Sequence, residues 1–113
     1  MSVLDIVTGQ LPASKSHAAR RWAFVPTSEP TKPGLGTLTI VQGKRDLDSY
    51  GIDVEAGEVL FCKLDAAADV YGVACDRAGR PVKCTCDGFH FKRTCKHCDA
   101  AKELIREGLI AAR

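Results

Sequence analysis

Cys84, Cys86, Cys95 and His97 are set out as C-x-C, eight residues, then C-x-H. Three thiols and an imidazole are the donors that close a tetrahedral zinc shell. A closed shell leaves no open position for water or substrate, so the pattern predicts one structural Zn2+ and no catalytic one. Cys84 and Cys86, two apart on extended backbone, project to one side, with Thr85 pointing away. Cys95 and His97 are also two apart, and within a regular helix such a pair diverges by about 200°. Cys95 must therefore occupy the non-helical cap position for both to reach one ion. A helix N-terminus also favours the thiolate. Cys98, three residues after Cys95, is an alternative fourth donor to His97. Its other reading is a buried thiol packed with Ala101 and Ile105, and helix geometry does not separate the two.

The elements that must position these residues begin at Thr37. Leu38–Val41 reads as a first short strand, and Ser49–Val54 as a second with Tyr50, Ile52 and Val54 on one face. Ala56-Gly57 makes a tight connection to Val59–Leu64. Val70–Cys75 is a further strand, and Asp76-Arg-Ala-Gly79 is a hairpin turn whose glycine supplies a positive φ. Pro81–Cys84 returns the chain to the C-x-C pair. Cys95–Glu107 reads as a helix with Thr94 as a candidate N-cap and Gly108 at the left-handed C-cap. Cys98, Ala101, Leu104 and Ile105 form its buried face, with Lys102 and Arg106 away from it. Residues 1–36 read as a flexible, basic, proline-rich arm: Pro26, Pro30 and Pro33 with Gly34 and Gly36 break any period. Within the arm, Ala13–Trp22 could form two helical turns on a partner, or Trp22 and Phe24 could dock on the domain.

Cys84-Thr-Cys86-Asp-Gly-Phe89, followed by Thr94-Cys95-Lys96-His97 at the start of a helix, resembles the SWIM zinc finger. That family carries C-x-C, a variable loop often containing an aromatic, then C-x-H opening a helix, usually after a β-hairpin. The resemblance covers about residues 70–107. It implies a ββα zinc module with Cys84, Cys86, Cys95 and His97 as ligands, and it favours His97 over Cys98. One departure is that Cys98 stands where the family usually has an aliphatic residue. The resemblance implies roles in binding DNA or proteins and no catalysis. The fold expected is α+β: a small antiparallel β-sheet followed by a ββα zinc finger with a C-terminal helix, in a domain spanning 37–113 with the finger core at 70–107.

Composition bounds the rest. The chain has 113 residues, 27% of them charged, and a modest core in which a metal cross-link would add stability. Met1–Gln10 shows no signal-peptide pattern and no apolar run approaches a membrane span. A cytoplasmic protein with reduced thiols and no membrane partner is expected. Charge is uneven: four basic and eight acidic residues lie in Thr37–Gly79, against eight basic and four acidic in Arg80–Arg113. The acidic residues from Asp46 to Asp76 read as solvated strand and turn positions. Cys62 and Cys75 read as core thiols, His90 as a solvent-facing loop residue between Phe89 and Phe91, and His17 as exposed.

Two functions fit. Arg80, Lys83, Lys92, Arg93 and Lys96 surround the zinc loop with Phe89 and Phe91 between them. They could neutralise phosphates and stack on bases of DNA or RNA, helped by the helix N-terminus and by Lys15, Arg20, Arg21 and Trp22 of the arm. Alternatively, the sheet edge and the charge asymmetry suit a protein partner, with zinc as scaffold. A zinc enzyme would need an open metal position and a nearby general base, and the sequence offers neither. No small-molecule substrate is expected.

Overall fold

Apolar residues alternating with polar ones build a single curled antiparallel sheet. The structure, a computed structural model, describes residues 6–12, 20–26, 35–42, 46–65, 68–86 and 95–110. Seven strands run β1 (Val7–Leu11), β2 (Arg20–Pro26), β3 (Gly36–Gln42), β4 (Asp46–Glu55), β5 (Glu58–Lys63), β6 (Val70–Cys75) and β7 (Pro81–Cys84). Each pairs with the next in chain order. The register places Phe24, Leu38 and Tyr50 side by side, as it does Ile52, Phe61 and Tyr71, and again Val59, Val73 and Cys84. Because side chains alternate between faces, these rows share the concave face. Phe24, Leu38, Tyr50, Ile52, Phe61, Val59 and Val73 are all fully buried there.

The one helix among the described residues, α1 (Lys96–Arg106), packs against β7, β6 and β1. It touches both edge strands and so bridges the gap that the curled sheet leaves between its first and last strands. His97, Cys98, Ala100, Ala101 and Leu104 form its buried face, while Ile105 is only partly covered. Lys102 and Arg106 are exposed, as the periodicity predicts. At the C-terminus, Gly108 takes φ 74° and the Leu109 N–H donates to the Leu104 carbonyl at 2.9 Å, which satisfies the open end.

The architecture corrects the expected one. There is no small sheet with a separate ββα finger: the β6–β7 hairpin is simply the last pair of a seven-stranded half-barrel. The stretch read as an irregular arm supplies two of the strands, and Trp22 and Phe24 are core residues at 3% and 1% exposure. Pro26 misdirects because it closes a strand instead of breaking one, while Pro30 and Pro33 lie outside the described residues. Pro26 ends β2 opposite Gly36, and the Arg20, Trp22, Phe24 alternation that precedes it is an ordinary half-buried strand. Of the stretch read as two helical turns, residues 13–19 lie outside the described residues and Arg20–Trp22 is strand.

The local turns follow their chemistry. Asp76 Oδ1 accepts the N–H groups of Ala78 and Arg80, both at 2.9 Å, and Gly79 takes φ 79°. This Asx-type turn sets the β6–β7 hairpin, which carries one register shift at Ala74/Cys75. Past the end of β7, Thr85 N–H donates to the Gly72 carbonyl and Thr85 Oγ1 accepts the Gly72 N–H. The pairing thus runs on between Cys84 and Cys86.

Candidate metal centre

Cys84 closes β7 and Cys86 follows two residues on, and both side chains are buried while Thr85 is exposed. Cys95 is the N-cap of α1 with φ −158° and ψ 168°, extended backbone. Its Sγ accepts the Cys98 N–H at 3.4 Å. His97 is in the first helical turn. The cap geometry resolves the divergence that a helical pair would suffer, because Cys95 and His97 turn toward the same point. The donor atoms of Cys84, Cys86, Cys95 and His97 all lie within 4.8 Å of one another. His97 Nδ1 is 3.8 Å from Cys84 Sγ and 3.9 Å from Cys95 Sγ. A tetrahedral ion with ordinary Zn–S and Zn–N bonds would set S···N at about 3.5 Å and S···S at about 3.8 Å. The four groups could therefore hold a metal ion after small adjustments.

The chemistry of the donors fits as well. Without a cation, the neighbouring Cys84 thiol, the dominant influence, and burial push the Cys95 thiol up to about 12. Cys84 is also raised to about 12: hydrogen bonding with Cys95 favours its thiolate, but Cys98 and burial outweigh that. Such buried thiols ionise together only around a positive charge. Burial, and to a lesser degree the charge of Lys96, lower His97 to about 4, so its imidazole is neutral and free to ligate at pH 7.

The sheet orients the helix-borne donors. His97 Nε2 lies 3.2 Å from the Tyr50 hydroxyl, its ring stacks on Tyr71 at 4.6 Å between centroids, and Tyr50 and Phe61 meet it edge-on. Burial keeps the Tyr50 phenol far above its ordinary pKa, hence protonated. One residue earlier, Lys96 Nζ donates to Asp48 Oδ2 at 2.6 Å. Burial acts to raise the Asp48 carboxyl, but Lys96 and Lys63 outweigh it and hold it below its ordinary value. On the other side, Arg20, 5% exposed, bonds Asp99 Oδ2 at 3.2 Å, the Pro12 carbonyl at 2.6 Å and Gln42 at 3.1 Å. Residues of four strands, β2, β4, β5 and β6, thus meet the first turn of α1. Sequence reasoning did not assign Tyr50, Asp48 or Arg20 to the site. The available signal was that an inward tyrosine or arginine requires a polar partner.

The other sequence-predicted residues fare unevenly. Lys96 is engaged by Asp48 and is not a free cation. Arg80 pairs with Asp76 at 3.3 Å on the surface, and Lys83 is exposed on β7. Phe89, Phe91, Lys92 and Arg93, with His90, Thr94, Lys15 and His17, lie outside the described residues. The N-cap is Cys95. Cys62, expected in the core, is exposed on the convex face, because it alternates with the inward Phe61. Cys75 is partly buried against the core. Asp48 and Asp76 are structural partners and not merely solvated charges. Among the described residues no helix is long and apolar enough to cross a membrane.

Comparison with protein-family models, curated proteins and solved structures gives no match. The coarse class is therefore defined by the molecule itself: a curled antiparallel sheet closed by a helix, with a Cys/His cluster able to bind a metal at the junction, consistent with a zinc finger.

Proposed function

We propose that this chain is a structural zinc protein, a non-catalytic binding domain with a SWIM-like ligand set. Its ion, held by Cys84, Cys86, Cys95 and His97, fastens α1 across the open seam of the half-barrel. The observation that carries this reading is the convergence of four donor atoms from the end of β7 and the start of α1. Zinc supplies charge neutralisation for the thiolates and a cross-link, and the closed shell offers no site for chemistry. The protein residues bind and orient: Tyr50 fixes the imidazole, and Asp48 and Arg20 hold the helix around it.

For the partner, protein is the better-supported class. Leu47, Leu64 and Val70 are more than half exposed on the convex side, while two of the expected phosphate contacts, Lys96 and Arg80, are already paired with carboxylates. Among the described residues the nucleic-acid reading retains one exposed cation beside the centre, Lys83 on β7; Phe89, Phe91, Lys92 and Arg93 lie outside them. Anisotropy of labelled single-stranded and duplex oligonucleotides at two salt concentrations, with metal content measured in parallel, tests both levels. One zinc per chain with no binding at low salt supports the scaffold and a protein partner. Zinc-dependent binding that weakens steeply with salt restores the nucleic-acid reading. A folded protein without affinity for zinc defeats the proposal.

A further inference from the structure

One thiol beside the centre is not needed by it. Cys98 is buried, and its backbone N–H donates to Cys95 Sγ at 3.4 Å. A fourth thiol thus follows directly after His97, beside four donors that already suffice for a tetrahedral shell. Cys95 and Cys98 are three residues apart at the opening of α1, which puts their Cα atoms about 5 Å apart. That lies within the span of about 4.4–6.8 Å that a disulfide bridges. Cys95 is also the least buried of the four clustered donors and so the sulfur an oxidant meets first.

From this arrangement, and resting on the metal reading above, we infer that the centre is a peroxide-responsive thiol switch in which Cys98 resolves the oxidised Cys95. The Cys95 thiolate attacks the terminal oxygen of a hydroperoxide. An S–O bond forms, the O–O bond breaks, and the alkoxide (hydroxide, for hydrogen peroxide) leaves and takes a proton from water. Cys95 is then a sulfenic acid. The Cys98 sulfur attacks the Cys95 sulfur, an S–S bond forms, and the hydroxyl departs with the Cys98 proton as water. Two thiol sulfurs have lost two electrons and the peroxide has gained them. The cluster is left with Cys84, Cys86 and His97, α1 loses its tie through the cap residue, and the ion is released. A dithiol reductant returns both thiols and lets the centre re-form.

The test uses the full chain loaded with zinc, wild type against Cys98→Ala and Cys98→Ser. Zinc content is measured first, then release into a chromogenic chelator under excess hydrogen peroxide, with disulfides mapped by peptide mass spectrometry. The inference expects one zinc per chain in all three proteins, a Cys95–Cys98 disulfide in the oxidised wild type, reversal by dithiothreitol, and release at least tenfold slower in both variants. Equal release rates, or a disulfide that excludes Cys98, overturn the switch while leaving the metal centre standing. Variants that load no zinc would make Cys98 a ligand and overturn it too. A wild type that loads none overturns the metal reading and the switch together.

Discussion

The Tyr50 hydroxyl sits 3.2 Å from His97 Nε2, on the side of the ring opposite the sulfurs that face Nδ1. With Nδ1 on a metal, Nε2 carries the proton and donates it to the phenol, the outer-shell arrangement that fixes a ligand's tautomer and orientation. Tyr50 comes from the centre of the sheet, so the buried face of β4 and the candidate metal centre form one unit.

Tyr50→Phe keeps the packing against Phe61 and removes only the acceptor. Zinc affinity should fall by about 10- to 100-fold with little change in strand content. Competition against a chromophoric chelator reads this directly, and an unchanged affinity would show that the hydroxyl does not tune the ligand.

Removing the ion should loosen the seam. If free zinc exceeds its Kd about a thousandfold, binding contributes about 4 kcal/mol, so chelation should lower Tm by at least ~15 °C. Cys86→Ala should melt like the chelated wild type and no longer respond to zinc. A Cys86→Ala protein with full zinc and native melting would remove that residue from the centre.

Acid should empty the centre, and the sign follows from the thiols. Cys84 and Cys95, raised to about 12 in the metal-free fold, must each expel a proton on binding. The apparent affinity should therefore fall at least ~100-fold for each pH unit between 8 and 6. His97 adds a second effect on stability. Its folded value of about 4 lies below the ordinary 6.5, so the stability it contributes is complete above pH 6.5 and is lost as pH falls toward 4, by about 3 kcal/mol. Chelator competition and thermal melts across this range check both; a change below tenfold per pH unit would contradict the first.

The β4–β5 turn tests the fold independently of metal. Ala56 and Gly57 take φ 49° and 82°, the pair of left-handed residues of a type I′ turn, where Asn-Gly is preferred. Alanine is strained there. Ala56→Asn should stabilise the protein by ~0.5–1 kcal/mol, visible as a higher urea midpoint with unchanged slope. A lower midpoint would speak against this turn.

The donors and the hairpin leading to them were legible in the sequence because their signals are local. C-x-C on a strand, C-x-H at a cap, and Asp76 and Gly79 in a turn each carry their own geometry. β6, β7 and the buried face of α1 were legible for the same reason. The sheet as a whole was not. Val7–Leu11 is short and glycine-containing, and Arg20–Pro26 opens with two arginines. What makes them strands is non-local: Trp22 against Ile40 and Phe24 against Leu38, and Arg20 reaching Asp99 across 79 positions. The partners of the centre were hidden likewise, since nothing near His97 in the chain announces Tyr50, 47 residues away. Cys62 was misjudged because a one-residue step along β5 exchanges core for surface.

On the proposed reading, a closed shell of three sulfurs and one imidazole nitrogen joins β7 to α1. X-ray absorption at the zinc edge on the purified, zinc-loaded protein tests it most directly. The expected spectrum shows one zinc per chain, three sulfurs at about 2.3 Å and one nitrogen at about 2.0–2.1 Å, with the outer-ring scattering of a histidine. A four-sulfur shell would replace His97 by Cys98, and a shell containing a water oxygen, or a folded protein that takes up no zinc, would contradict the closed structural centre.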